Sequence, residues 1–266
     1  MGLNLLTFSN LTKHRHELLH FSSTRLGGVS VGSFSSLNLG NYSDDNPRHV
    51  DQNRQRLCEA LSISPTQLIT VHQVHGSEVL KVDASLAALS PSEREAATQG
   101  YDAMICNIPN VCIAVTTADC VPVLLYDPLN KVVGAVHSGW RGTVQNIVGK
   151  TIDRMHEWAG SRPSDLIAAI APCISVEHYE VGAEVMTLFQ TASMDVSSIF
   201  KVNGDHIYLD LKLAVLQQLK EKQVLNTEVS PYCTYAASDL FFSARRQGIH
   251  SGRMLSGIGL IEQTHQ

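Results

Sequence analysis

The chain has 266 residues, 44% of them apolar and 17% charged, the balance of a globular protein with a sizeable core. A net charge of −5 and a pI near 6.2 exclude a general nucleic-acid binder, but leave room for a small phosphorylated or nucleoside substrate held by local arginines. The N-terminus, MGLNLLTFSNLTKHRHELLH, lacks the apolar core of a signal peptide, and no run approaches the roughly 18 apolar residues of a membrane span; a cytoplasmic chain is expected.

In chain order, residues 21–42 are rich in Gly, Ser and Asn and predict a long loop with short strands. Asp45-Asn46-Pro47 starts a helix whose apolar side carries Val50, Leu57 and Leu61. Leu68–His75 alternates as a strand and stops at Gly76. Residues 83–100 predict an exposed helical insertion, and Val111–Thr117 a strand. Val121–Asp127 and Lys131–Val136 then read as a hairpin around Asp127-Pro128. Arg141–Trp158 is a helix, since Val144, Ile147, Val148, Ile152, Met155 and Trp158 recur at helical spacing. A strand over Leu166–Ile170, helices near 177–190 and 209–222, and strands at 229–235 and 254–261 complete the chain. Mixed strands and helices with a hairpin predict a mixed α/β fold in one domain over residues 1–266.

With Asp127 facing Asn130, Cys120 falls opposite His137, on one face and with Cβ atoms about 5 Å apart. This suits a shared metal ion or a thiolate–imidazole pair. The six cysteines show no CxxC pairing, so free thiols are expected. A third ligand is available from His72 or His75; side chains three apart on a strand point to opposite faces, and His75, at the strand tip, is the better choice. Two histidines and a cysteine leave a tetrahedral Zn²⁺ one open position, the arrangement of a catalytic zinc. Copper is less favoured, because a blue-copper site usually has a weak axial ligand and a multicopper oxidase needs many more histidines. Arg25, Arg141, Arg245, Arg246 and Arg253 lie beside Gly, Ser or strand ends and are the candidate anion contacts. The Gly28-Val29-Ser30-Val31-Gly32 match to a nucleophile elbow lacks the strand before and helix after that such an elbow needs. Gly149-Lys150-Thr151 lacks the first glycine of a phosphate-binding loop.

The blocks STRLGGVS (23–30), SLNLG (36–40), QVHG (73–76), DAM (102–104), TADCVPVLLYDP (117–128), AVHSGWRGT (135–143), YEVG (179–182), CTY (233–235), FFSARR (241–246) and GRM (252–254) occur in this order. Together they resemble the YfiH-type purine nucleoside phosphorylase family, formerly labelled laccase-domain or multicopper polyphenol oxidase, over residues 21–260. The resemblance implies layered mixed β-sheets flanked by helices, similar to a cysteine-hydrolase-like toxin fold. It implies Zn²⁺ on His75, Cys120 and His137, and phosphorolysis of adenosine, inosine, guanosine and 5′-methylthioadenosine to a free base and a ribose 1-phosphate. Adenosine deaminase activity is also implied. In that setting Arg25, Asn38 and Arg141 are the candidate contacts to nucleoside and phosphate, and Asp119 a candidate brace for a ligand. Three rival readings stand beside it. One is a metal-free Cys120/His137 hydrolase, including one that edits a cytoplasmic cell-wall precursor. The others are a copper polyphenol oxidase and a structural zinc site in a binding protein. The oligomeric state is left open.

Overall fold

A computed structural model of the chain describes residues 3–262. The fold is mixed α+β, built on two large sheets and a small one. The first large sheet runs, in spatial order, Leu5–Leu6, Leu18–Ser23, Met254–Leu260, Cys112–Thr117 and Leu68–Thr70. The second runs Asn226–Val229, Ile167–Ile170, Val121–Asp127, Val132–Ser138, Ala103–Cys106 and Val79–Val82. Glu180–Val181, His206–Leu209 and Phe200–Asn203 form the small sheet. In each large sheet antiparallel ladders are joined by parallel pairs, such as Leu68–Thr70 with Cys112–Thr117. No helix among the described residues is long and apolar enough to cross a membrane.

The period-2 alternation of strand side chains assigns the layers. On the six-stranded sheet, Ile105, Val123, Leu125 and Val136 pack against Ile147, Ile152 and Met155 of helix Ile147–Ala159 and against Leu211 and Val215 of helix Leu211–Glu221. Met104, Leu124, Tyr126 and Val133 point the other way, onto Ile69, Ile113, Val115 and Ile258 of the five-stranded sheet. The far face of that sheet, with Phe21, Ala114 and Leu255, is covered by Leu57 and Cys58 of helix Pro47–Leu61. The order is therefore helices, sheet, sheet, helix. Both sheets are buried on both faces, so the central strands read as continuous apolar runs. Each such side chain contributes about 1.5–3 kcal/mol when removed from water.

Helix Pro47–Leu61 begins as its sequence predicts. The Asn46 side chain accepts from the Arg48 N–H at 3.0 Å, and Pro47 occupies the first turn. Four other elements depart from expectation. The hairpin register is different: Asp127 pairs with Val132, and His137 with Pro122 instead of Cys120. The cause is the Asp127 carboxylate, which accepts from the N–H groups of Leu129 (2.8 Å) and Asn130 (3.0 Å) and so closes a longer loop, with Lys131 at φ 51°. The strand expected to reach His75 stops at Thr70. The helix expected over Arg141–Trp158 is two, Trp140–Val144 and Ile147–Ala159, broken at Asn146 with φ 58°. The strand expected at 229–235 is Asn226–Val229, paired in parallel with Ile167–Ile170, and 230–235 is turn and loop.

Candidate metal centre and cavity

Two connections carry the chain from the five-stranded to the six-stranded sheet, and each delivers a donor. Residues 71–78 link Leu68–Thr70 to Val79–Val82 and carry His75; residues 118–120 link Cys112–Thr117 to Val121–Asp127 and end in Cys120. His137 comes from strand Val132–Ser138. The shifted register leaves Cys120 and His137 on one face, because a displacement of two residues preserves the side to which a strand side chain points. The donor atoms of His75, Cys120 and His137 all lie within 4.8 Å of one another. The two imidazoles meet edge to face at a centroid distance of 4.9 Å. His75 is exposed, Cys120 half-buried and His137 buried.

Two buried carboxylates hold this geometry. Asp102 accepts His137 Nδ1–H at 2.7 Å and the backbone N–H groups of Val74 (3.2 Å), His75 (3.0 Å) and Gly76 (2.6 Å). It thereby turns His137 Nε2 towards the other donors and holds His75 in a left-handed conformation at φ 59°. Burial raises the Asp102 pKa, but the bonds from His137, Gly76 and Val74 outweigh it and hold the carboxyl below its ordinary value. Asp119 sits at φ 98°, a conformation its side chain compensates by accepting from Thr234 Oγ1 (2.7 Å), Ser243 Oγ (2.9 Å) and the Arg245 N–H (2.7 Å). The next residue is Cys120. Burial pushes the Cys120 thiol up, but His137 and His75 beside it prevail and bring it down to about 6. Burial likewise opposes charge on His137, which Cys120 and Asp102 raise to about 9.

Gly139 clears the space between the donors. A Cβ there would lie 3.1 Å from Cys120 Sγ and 3.2 Å from His75 Cδ2. The residues present fit a metal: two imidazoles and a depressed-pKa thiol converge, one imidazole has its tautomer set by a carboxylate, and the group has three members. His72, the rejected alternative, lines the same cavity but is not one of the converging donors. Its Nδ1 meets Gln99 Oε1 at 2.5 Å and its ring stacks on Tyr42 at 4.0 Å.

The three donors open into a cavity of about 500 Å³, also lined by Tyr42, Arg54, His72, Tyr179, Arg245 and Arg253. Residues 19–261 match the family described as multi-copper polyphenol oxidoreductase laccase. The chain is 38% identical to a purine nucleoside phosphorylase of Bacteroides thetaiotaomicron over 96% of its own length and 95% of that protein. The chain belongs to the YfiH-type purine nucleoside phosphorylase family. Another relative, 34% identical over 90% of this chain and 92% of its own, is the adenosine deaminase RL5 of an unknown prokaryotic organism. The crystal structure of the hypothetical protein YfiH of Bacillus licheniformis superposes with a TM-score of 0.90 at 30% identity, covering 97% of each chain.

Within this family member the other candidate residues fall differently. Arg25, Asn38 and Arg141 lie outside the cavity lining. Arg25 donates to Ser35 O (2.7 Å) and Ser238 O (2.9 Å) and stacks on Phe242. Asn38 is fully buried; its Nδ2 donates to Ser43 Oγ and Asp45 Oδ2, and its Oδ1 accepts from the Gly40 and Arg253 N–H groups. Arg141 is exposed, its guanidinium over Trp140. Arg246 is spent on the carbonyls of Thr234, Tyr235 and Phe241, whereas Arg245 and Arg253 line the cavity. Asp102 opens the DAM block (102–104) but has no role legible in the sequence, and Arg54 lies in none of the blocks that carry the resemblance; the fold brings both to the site.

Proposed function

We propose that this chain is a zinc-dependent purine nucleoside phosphorylase. Its substrates in this reading are adenosine, inosine, guanosine and 5′-methylthioadenosine, and it releases the free base and a ribose 1-phosphate. Deamination of adenosine is a second activity of the same site, and the cytoplasm its location. The observation that carries the reading is the convergence of His75, Cys120 and His137 within 4.8 Å at one wall of a 500 Å³ cavity, in a chain whose relatives bear phosphorylase and deaminase names. The ligand set of two nitrogens and one thiolate favours zinc over redox copper, since it is the one group among the described residues with the makings of a metal site.

His75, Cys120 and His137 would hold the Zn²⁺, which would supply Lewis acidity. The chain's own residues do the rest. Asp102, ionised, holds the Nδ1 proton of His137, so that Nε2 is the nitrogen that would ligate once a metal displaces its proton. His137 and His75 beside Cys120 favour its thiolate form, the form in which a cysteine ligates a metal. In this reading a cavity of about 500 Å³ has room for nucleoside and phosphate side by side, the proximity on which a displacement at ribose C1′ depends.

One observation favours a second reading. Asp102, His137 and Cys120 are also the orienter, base and nucleophile of a metal-free hydrolase, with a 2.7 Å bond from carboxylate to imidazole. His75 has no role in that scheme. The test is to quantify metal in protein purified without added zinc, then incubate it with adenosine and inosine with and without phosphate. Stoichiometric zinc and phosphate-dependent release of base support the phosphorylase; metal-free protein that releases no base in either condition overturns it.

A further inference from the structure

We propose that Arg54, Arg245 and Arg253 form a subsite for a phosphate dianion beside the His75–Cys120–His137 group. The inference deepens the phosphorylase reading and rests on it for the physiological source of the anion. The three arginines line the same cavity, and among the described residues none is within salt-bridge distance of a carboxylate. Two negative groups share the lining with these three arginines: Asp119, whose oxygens are already engaged by Thr234, Ser243 and the Arg245 N–H, and the Cys120 thiolate, so the positive charge stays in excess. A protein of net charge −5 therefore presents a cationic cavity, which concentrates an anionic substrate there.

The arginines are built into place. Arg253 is tethered from behind: Nη1 donates to Ser251 O (2.7 Å), Ser251 Oγ (3.0 Å) and Gly252 O (3.0 Å), and Nη2 to Ile249 O (3.2 Å). Its Nε–H has no protein acceptor among the described residues. Asn38 accepts its backbone N–H at 2.9 Å, and Gly40 leaves room for its stem, since a Cβ there would lie 2.8 Å from Arg253 Cγ. The Ser36-Leu37-Asn38-Leu39-Gly40 block thus acts through Arg253. Arg54 rises from helix Pro47–Leu61 and donates to Leu39 O (3.1 Å) and Thr70 Oγ1 (3.3 Å). Arg245 donates to Glu180 O at 2.7 Å and lies over Tyr179. Arg54 and Arg253 are half-buried, and burial lowers the pKa of both. Guanidiniums withdrawn from water without a carboxylate are costly unless an anion completes them, and their planar forks match phosphate oxygens.

Two sources carry this dianion: inorganic phosphate, or the phosphoryl group of a nucleotide. Calorimetric titration of metal-quantified protein with inorganic phosphate, adenosine 5′-monophosphate and adenosine separates them. Wild type is expected to bind phosphate, and Arg253→Lys and Arg245→Gln each to weaken it about tenfold while adenosine affinity changes by less than about twofold. Tighter binding of the monophosphate than of adenosine, lost in the same variants, assigns the subsite to a nucleotide. Arginine-dependent phosphate binding without phosphorolysis of any nucleoside keeps the subsite and removes the phosphorylase reading. Phosphate affinity unchanged in both variants, or absent from wild type for both anions, overturns the subsite. Arg245 is exposed, so its variant decides if Arg253→Lys fails to fold.

Discussion

Two aspartates do for the site what no ligand can do for itself. His75 and Cys120 lie on or beside backbone at positive φ, which for non-glycine residues costs of order 1–3 kcal/mol unless the surroundings impose it. Asp102 imposes it on His75 through three backbone N–H bonds, and Asp119 on its own peptide through three donors. Asp102→Asn retains an acceptor for His137 but turns an amide N–H₂ towards backbone donors. It is expected to weaken zinc binding about 10–100-fold, read by competition with a chromophoric chelator, while the metal-free protein stays folded. Gly139→Ala is backbone-compatible, at φ −77°, but sets a methyl 3.1 Å from Cys120 Sγ. It is expected to weaken zinc binding by a similar factor with little change in the thermal midpoint of the metal-free protein. The donors themselves are legible in the sequence because histidine and cysteine declare their chemistry. Asp119 is legible only through its place beside Cys120, and the role of Asp102 is not, because an aspartate that organises a loop reads like any other until the fold shows what it accepts.

At the scale of elements, the sequence conveys strand and helix type better than where elements end, and side-chain hydrogen bonds account for the difference. The apolar stripe continues across Val144, Ile147 and Val148, so periodicity alone hides the break at Asn146. Asn146 tolerates the left-handed conformation and caps the second helix by accepting the Gly149 N–H. Asn146→Ala is expected to cost about 1 kcal/mol, measured by denaturant unfolding, and Asn146→Gly only a few tenths. The hairpin end is tied similarly. Glu17 accepts from Lys131 Nζ at 2.6 Å and from Tyr126 Oη at 2.7 Å, joining the loop to the N-terminal segment. Burial raises the Glu17 pKa, but the bonds from Lys131, Tyr126 and His14 dominate and lower it to about 2. A depressed carboxyl stabilises above its unfolded pKa and loses that contribution as pH falls through the folded one. Glu17→Gln is therefore expected to destabilise by roughly 1–2 kcal/mol at pH 7, with the deficit closing between about pH 4.5 and 2 in unfolding curves taken across that range.

At the scale of the molecule, one donor comes from the six-stranded sheet and two from the connections that join it to the five-stranded sheet, so an ion held there would tie those connections to the strand between the layers. The order of strands, which sets these crossings, was not readable from local pattern. Both sheets are covered on both faces, and an all-apolar strand carries no mark of its neighbour. The consequence of cross-linking is thermodynamic: a ligand that binds the folded chain stabilises it by RT ln(1 + [L]/Kd), about 2.7 kcal/mol at a hundredfold excess over Kd. For a chain of this length that converts to roughly 5–10 °C in thermal midpoint. Stripping zinc with a chelator is expected to lower the midpoint by this amount, and adding zinc back to restore it. Cys120→Ala removes one donor, and its midpoint is expected to move by less than about 2 °C with zinc at the same concentration. A wild-type midpoint indifferent to zinc, with a Cys120→Ala variant that is equally indifferent, would mean that the three donors do not hold the ion.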